Sequence, residues 1–147
     1  VTLNPLGFRL RESRRLGLPL VSLLAWGKER RQCMAVRLEG GLIVANLHAT
    51  KARNPRIPDA EIVRAAGWAA QLAGDAPAIL AGDFNVDTAR SIAIDLLEGY
   101  TKAGPGIDHV VARGASTGPY DRWTPQQRRL GQLALSVHAP VEVEVIT

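Results

Sequence analysis

The chain has 147 residues, enough for about one domain of ordinary size. Its hydrophobic content of 46% and charged content of 22% are typical of a folded globular protein and exclude a disordered or low-complexity chain. Lys and Arg outnumber Asp and Glu by 18 to 14, and this mild excess favours anionic partners such as nucleic acid or phosphorylated lipid. The single cysteine, Cys33, excludes an intramolecular disulfide.

No segment of the sequence predicts a membrane span or a signal peptide. The longest apolar run, residues 16–26, is interrupted by Pro19 and is too short to cross a bilayer. It also starts too far from the first residue to be typical of a signal peptide. We therefore expect a cytoplasmic location by default, and a single domain over residues 1–147 without internal repeats.

The predicted elements begin with a hairpin. Residues 33–49 predict two apolar strands joined at Glu39-Gly40-Gly41, because Gly-Gly between apolar runs supports a tight turn. Side chains alternate along a strand, so Asn46 and His48 should share one face at the carboxyl end of the second strand.

A helix is predicted next, over residues 59–72, with Asp59 as its N-cap and Gly74 as its stop. It carries a narrow apolar stripe, which is suited to packing on a sheet. The stripe comprises Ile62, Ala66, Ala69 and Leu72 or Ala73.

A strand follows directly, in the stretch "AILAGDFNV" at residues 78–86. On an extended chain Asp83 and Asn85 would lie on one face and could reach one shared target. An Asx turn is the alternative, since Asp and Asn both bond their own backbone in turns. Against that alternative, open α/β sheets bind ligands outside the carboxyl ends of their strands.

The rest of the chain predicts one helix and two strands. The helix covers residues 89–98 behind Thr88 as its cap, with Ile92, Leu96 and Leu97 facing inward. A short strand is predicted at residues 107–112. The last strand, residues 140–146, alternates strictly between valine and glutamate, with the valines on one face. Strands mixed with helices indicate an α/β or α+β fold.

Four short motifs begin or end these strands. They are Asn46-x-His48, Gly82-Asp83-Phe84-Asn85, Ile107-Asp108-His109 and Ser136-x-His138-Ala139-Pro140-Val141. Each one alone is more typical of ordinary structure, such as a turn or a hydrogen-bonded histidine. Together, from about Leu3 onward, they resemble the endonuclease/exonuclease/phosphatase family of metal-dependent phosphohydrolases. The resemblance implies a DNase I-like four-layer α/β/β/α sandwich that hydrolyses a phosphate ester with Mg²⁺ or Mn²⁺.

The resemblance also implies roles for five residues. Asp83 would activate the attacking water and Asn85 would contact the scissile phosphate, and both are candidate metal ligands. His138 would stabilise the phosphoryl transition state, and Asp108 would orient His138. His48 is a candidate general acid for the leaving oxygen.

Further residues are candidate substrate contacts around this site. Asn46 would hold a phosphate oxygen or the neighbouring loop. Basic and aromatic side chains from two segments, each more typical of solvated surface when taken singly, would flank the phosphate. They are Lys51, Arg53 and Arg56 after His48, and Arg122, Trp123, Arg128 and Arg129 before His138. The basic balance slightly favours nucleic acid over phospholipid or inositol phosphate as the substrate.

Two departures from the family pattern predict weak metal binding. The family's N-terminal strands supply an early Asn and a metal-binding Glu, which nothing before Leu3 can supply here and for which Glu12 is a poor substitute. Val137 stands where the family usually has Asp. We therefore expect the carboxyl-terminal part of a family domain. Two alternatives remain: a non-catalytic, metal-deficient member that binds nucleic acid or anionic lipid, and an unrelated small α/β domain.

Overall fold

The structure, a computed structural model, describes residues 10–17 and 31–147. Most of the apolar run at residues 16–26 lies outside these ranges. The strands are β1 (Leu10–Gly17), β2 (Gln32–Leu38), β3 (Ile43–Leu47), β4 (Ala78–Asp83), β5 (Tyr100–Ala103), β6 (Asp108–Arg113), β7 (Ser116–Arg122), β8 (Arg129–Leu130), β9 (Leu133–Ala134) and β10 (Val141–Ile146). The helices are α1 (Arg56–Ala73) and α2 (Ala93–Leu96), and neither is long and apolar enough to cross a membrane. Strands and helices together confirm the predicted α+β class.

One mixed sheet organises the fold, with its six strands in the order β1-β2-β3-β4-β6-β5. β3 and β4 are parallel and α1 forms the crossover between them, while the other neighbouring pairs are antiparallel. The carboxyl ends of β3 and β4 therefore lie at the same end of the sheet, and Asp83 pairs there with Asp108 at the start of β6. This arrangement brings three of the four motifs together.

α1 packs on one face of the sheet, where it meets the buried side chains of the central strands. The sheet contributes Cys33, Ala35, Ile43, Ala45, Leu47, Ala78, Leu80 and Val111 to this core, and α1 contributes Ile62, Ala65, Ala66, Ala69 and Ala73. The predicted apolar stripe is thus confirmed, with Leu72 only partly buried at its border. Its many alanines allow the helix to lie close to the sheet.

The opposite face of the sheet is partly open. Register pairing places Val36, Val44 and Ile79 side by side on it, all half-buried, next to Met34, which is 47% exposed. The antiparallel ribbon of β7 and β10 packs near β6. Along β10 half-buried valines alternate with exposed glutamates, as predicted. Among the described residues, this ribbon represents the second β-layer of the sandwich.

The start of α1 differs from the prediction. The helix begins at Arg56, behind Pro55 as N-cap, and not at Asp59. Pro58 does not prevent the earlier start, because the missing N–H of a proline is tolerated in the first turn of a helix. Asp59 is buried and accepts hydrogen bonds from residues 91–93, at the start of α2. Gly74 ends the helix with a φ of 62°, as predicted.

The second helix is shorter than predicted, since α2 covers only the middle of residues 89–98. Before it, the side chain and carbonyl of Asp87 accept backbone N–H groups of the next residues, and this turn competes with helix formation. Of the three residues expected to face inward, Ile92 and Leu96 are 44% and 63% exposed, so their prediction is wrong. Leu97 packs against the core.

Candidate active site

A glycine allows β3 and β4 to end in close contact. Gly82 has a φ of 143°, and a Cβ atom there would stand 2.0 Å from the carbonyl oxygen of Leu47. The N–H of Ala49 donates to the Asp83 carbonyl at 2.8 Å, which extends the pairing beyond β3. As a result His48, between Leu47 and Ala49, lies beside Asp83.

The chain turns after Asp83 instead of continuing as a strand. Asp83 Oδ1 accepts the N–H of Asn85 at 2.9 Å, and Asn85 has a left-handed φ of 51°. The prediction of one shared strand face is therefore wrong, and the Asx-turn alternative is observed. Asn85 Nδ2 donates to the carbonyl of Ala49 at 2.9 Å. The turn thus occupies one carboxylate oxygen of Asp83, and Oδ2 faces two histidines.

Asp83 Oδ2 lies between two imidazole rings. His48 Nε2 is 3.7 Å from this oxygen and His138 Nδ1 is 3.8 Å from it. Asp108 Oδ1 is 3.5 Å from the same nitrogen of His138. The carboxylate side chains are about one-fifth exposed, while the histidine side chains are about half exposed. Two half-buried carboxylates so close together are stabilised when a cation or proton neutralises part of their charge.

This cluster could hold a divalent metal ion. Asp83, Asp108 and His138 each offer one ligand atom, and the three atoms lie within 4.8 Å of one another. Two carboxylates and an imidazole fit Mg²⁺ or, better, Mn²⁺. Asp108 thereby joins the candidate ligands, although the sequence assigned it only to orienting His138. Asn85 is not in this group, and its assignment as a ligand stays a prediction.

A cleft of about 370 Å³ opens beside the cluster. Asn46, Ala81 and Val110 form one wall, on the open face of the sheet. Residues 138–141 and Ser136 form the other wall, where the chain enters β10. The cleft has room for a phosphate group and part of its ester substituent. Asn46, a predicted substrate contact, therefore lines it together with both carboxylates and His138.

The predicted basic contacts after His48 differ in how firmly they are held. Arg56 donates to Asp59 Oδ2 at 2.7 Å, and this hydrogen bond stabilises the first turn of α1. Lys51 and Arg53 are exposed in the loop between β3 and α1. Their contact with a phosphate stays a prediction.

On the other side of the site, Arg122 ends β7 and pairs with Val141 of β10 in the strand register, and it is exposed. Trp123 Nε1 donates to Glu142 Oε1 at 2.5 Å. Arg128 Nη1 donates to the carbonyls of residues 136 and 137, at 3.2 Å each. Arg128 thus fixes the segment before His138, a role that the sequence did not indicate.

Two charged side chains contact the loop between β3 and α1 (residues 48–55, the His48 loop), and neither was predicted from the sequence. Glu61 of α1, only 3% exposed, accepts the backbone N–H and the hydroxyl of Thr50 at 2.6 and 2.7 Å. Arg31 Nη1 lies 3.2 Å from His48 Nδ1. The position of Glu61 next to Ile62 of the apolar stripe could have indicated that this glutamate is buried. Arg31 belongs to a run of basic residues, and nothing in the sequence distinguishes it from the others.

His109, adjacent to Asp108, faces the helix side of the sheet and is 5% exposed. Its Nε2 lies 3.2 Å from the Val86 carbonyl, and its ring contacts Phe84 with the centroids 5.4 Å apart. This histidine is structural, and it anchors the chain that leaves the Asp83 turn.

No family model and no curated protein match the sequence. Solved structures do match. A mannosyl-6-phosphatase of Bacteroides thetaiotaomicron is 18% identical with a TM-score of 0.68, over 95% of this chain and 67% of that chain. An endonuclease/exonuclease/phosphatase of Bacteroides vulgatus is 15% identical with a TM-score of 0.68, over 94% and 66%. Truncated TDP2 of Caenorhabditis elegans is 12% identical with a TM-score of 0.66, over 95% and 67%.

The chain spans about two thirds of the length of these proteins, which is consistent with the carboxyl-terminal part of their domain. At such low identities the likeness establishes the fold. The chain therefore has the DNase I-like fold of the endonuclease/exonuclease/phosphatase proteins, as its motifs predicted.

Proposed function

We propose that the chain is the site-bearing part of a metal-dependent phosphoester hydrolase of the endonuclease/exonuclease/phosphatase family, acting as a phosphodiesterase, nuclease or phosphatase. The observation that carries the proposal is the convergence of Asp83, Asp108 and His138 within 4.8 Å beside a cleft. Residues far apart in the sequence supply the cluster, and His48 adds a further polar group at 3.7 Å from Asp83. The names of the similar structures support a phosphate ester as substrate.

Asp83 and Asp108 would hold Mg²⁺ or Mn²⁺, with His138 Nδ1 on the same side. Such an ion, when bound, supplies Lewis-acid stabilisation of the charge on the phosphoryl oxygens. His138 faces the carboxylates with Nδ1, which leaves Nε2 for a phosphoryl oxygen. Asn46, which lines the wall of the cleft, would hold another oxygen of the phosphate.

In the reaction itself, a water oxygen forms the new bond to phosphorus and the bond to the leaving oxygen breaks. Asp83 accepts the proton that the water loses and later returns it to solvent. His48 donates a hydrogen bond to the leaving oxygen, which takes its own proton from solvent. One water is consumed for each ester bond split into an acid and an alcohol.

Cysteine chemistry offers no competing mechanism. Cys33 is fully buried in the core, and burial raises the pKa of its thiol to about 12. The thiolate, which is the nucleophilic form, is therefore not populated near neutral pH. The chain has no other cysteine.

Nucleic acid is the substrate class that we favour. Lys51 and Arg53 lie exposed on the His48 side, and Arg122 lies exposed near the start of β10. Positive charge on both sides of a phosphate site suits an extended polyanion such as nucleic acid more than a small phosphate ester. The binding strength would then fall steeply as the salt concentration rises.

The test is hydrolysis of bis-p-nitrophenyl phosphate with Mg²⁺ or Mn²⁺ by wild type and Asp83→Asn. The asparagine keeps the Oδ1 acceptor of the Asx turn and removes the charge, so the fold should persist. We expect turnover that EDTA abolishes and that falls by about 100-fold or more in the variant. Asp75→Asn, at an exposed position after α1, is the control and should match wild type. Equal turnover of Asp83→Asn and wild type would contradict the proposal.

A second candidate is a binding module without catalysis. The observation in favour of this candidate is Val137, which stands beside His138 where the family usually has an aspartate. Val137 is 91% exposed. Salt-dependent binding of DNA, with no turnover above that of Asp83→Asn, would favour this candidate over the hydrolase.

A further inference from the structure

His48 has a charged neighbour at each of its ring nitrogens. Nδ1 lies 3.2 Å from Arg31 Nη1, and Nε2 lies 3.7 Å from Asp83 Oδ2. Strand pairing explains the first contact, because Cys33 of β2 pairs with Leu47 of β3. Arg31 lies directly before β2 and His48 directly after β3, so this pairing brings the two chain segments close together.

A guanidinium group carries five N–H donors, has no acceptor and stays protonated in proteins. At the contact with Arg31, Nδ1 of His48 can therefore only be the acceptor. Neutral imidazole has one proton, which must then be on Nε2, the nitrogen that faces Asp83.

We propose that Arg31 is a positioning residue that fixes the tautomer and the orientation of His48. With Nδ1 engaged, Nε2–H becomes a hydrogen-bond donor of fixed direction beside Asp83. The catalytic consequence rests on the proposed function, whereas the tautomer is a property of the chain itself.

This arrangement changes the part that His48 plays. A neutral imidazole that gave up its Nε2 proton would become an anion, so His48 serves as a donor to the leaving oxygen and not as its proton source. A neutral histidine that polarises an oxygen in this way is an established catalytic device. Under this proposal, electrostatic stabilisation would take the place of the general-acid role that the resemblance implied for His48.

An alternative role for Arg31 is direct contact with the substrate phosphate. Such a contact would act on substrate binding, whereas positioning acts on the transition state and leaves binding nearly unchanged. The two roles therefore differ in which kinetic parameter an Arg31 variant alters.

The first experiment reads the tautomer by long-range ¹H–¹⁵N correlation of the metal-free chain labelled at histidine. The pH is set well above about 6.5, where free imidazole is uncharged. His48→Gln assigns the His48 signals, and His109 and His138 serve as internal references. We expect an acceptor-type Nδ1 and an N–H-type Nε2 for His48. An Nδ1–H tautomer would overturn the proposal.

Two variants link that tautomer to Arg31. Arg31→Met keeps an unbranched stem without a donor, and the His48 shifts should move toward the average of exchanging tautomers. Arg31→Lys supplies ammonium donors and should restore part of the wild-type pattern. Arg64→Met, on the exposed side of α1, is the control, and circular dichroism checks the fold of each variant. A folded Arg31→Met chain with unchanged His48 shifts would refute the role.

Kinetics with bis-p-nitrophenyl phosphate then separates positioning from phosphate binding. Arg31→Met should lower kcat on the order of 10-fold at nearly constant KM, the lower range for loss of an orienting partner. A raised KM at constant kcat would instead make Arg31 a phosphate contact and overturn the proposal. If wild type shows no turnover, the proposed function fails, and the tautomer experiment still decides the Arg31–His48 relation.

Discussion

Val137 is the residue that we expect to limit metal binding most, because it stands where the family usually has an aspartate. Its side chain is 91% exposed, while its carbonyl accepts Arg128 Nη1 at 3.2 Å, so the backbone is held independently of the side chain. Val137→Asp would add a carboxylate next to His138 without removing a packed group. We expect Mn²⁺ to bind about 10-fold more tightly, which corresponds to about 1.4 kcal/mol. Isothermal titration calorimetry measures the change.

Val137→Asn is the matched control, because it has the shape of aspartate without the charge. Its affinity for Mn²⁺ should stay close to that of wild type. Equal gains in the Asp and Asn variants would mean that polarity at this position, and not a new ligand, changes the affinity.

Gly82 determines how closely His48 approaches Asp83. A Cβ at this position would stand 2.0 Å from the Leu47 carbonyl oxygen, and the φ of 143° is strained for any other residue. Gly82→Ala should therefore destabilise the fold by about 2 kcal/mol or more. Gly67, in α1, is the opposite case, because a Cβ added there would have no neighbour within 4 Å.

Urea unfolding of both glycine variants tests this difference. Gly67→Ala should stabilise the chain by up to about 1 kcal/mol, since alanine is the better helix former. If Gly82→Ala unfolds at the same urea concentration as wild type, the close approach of β3 and β4 does not constrain the fold.

At the scale of elements, α1 connects the core to the His48 loop through one carboxylate. Glu61 accepts two hydrogen bonds from Thr50, which lies two residues after His48. Glu61→Ala leaves both donors without this partner and should cost about 3 kcal/mol in unfolding free energy. Glu61→Gln keeps one acceptor oxygen and should lose less. Chemical denaturation gives both values.

Glu98→Ala, an exposed position after α2, is the control and should change stability by less than about 0.5 kcal/mol. A Glu61→Ala chain as stable as this control would show that Thr50 finds other partners, so that α1 does not hold the His48 loop.

The elements that could be predicted from the sequence are those with a repeated pattern. α1, the hairpin of β2 and β3, and β10 each repeat an apolar spacing or contain a glycine turn that depends only on near neighbours. α2 and the Asp83 turn were mispredicted for a common reason. In both, an aspartate side chain accepts the N–H two residues later, and this local bond turns the chain where a regular element was predicted.

The residues of the candidate site also fall into two groups, those that could be predicted from the sequence and those that could not. The motifs predicted that Asp83, Asp108 and His138 come together, and their ligand atoms lie within 4.8 Å of one another. Asp83 and Asp108 pair at one end of the six-stranded sheet, and His138 reaches them from the segment before β10. Arg31 and Glu61 were missed because their partners lie 17 and 11 residues away in the sequence. Such contacts follow from strand pairing and helix packing, which no local pattern encodes.

For the molecule as a whole, the open sheet face leads to a prediction about behaviour in solution. Among residues 10–17 and 31–147, α1 covers one face of the six-stranded sheet, while Met34, Val36, Val44 and Ile79 remain partly exposed on the other. Neighbouring apolar side chains of this kind favour association. We expect the isolated chain to self-associate with rising concentration, as measured by sedimentation velocity.

Met34→Gln should weaken this association, since it removes the most exposed apolar side chain of the face. Val63→Gln is the matched control, because Val63 is 42% exposed on α1, away from the open face, and should leave the association unchanged. A loss of about 1.4 kcal/mol at the contact would raise the dissociation constant roughly 10-fold. If wild type is monomeric at every concentration, or if both variants weaken association equally, the open face is not the contact. In that case the apolar side chains of the face would have to be covered within one chain.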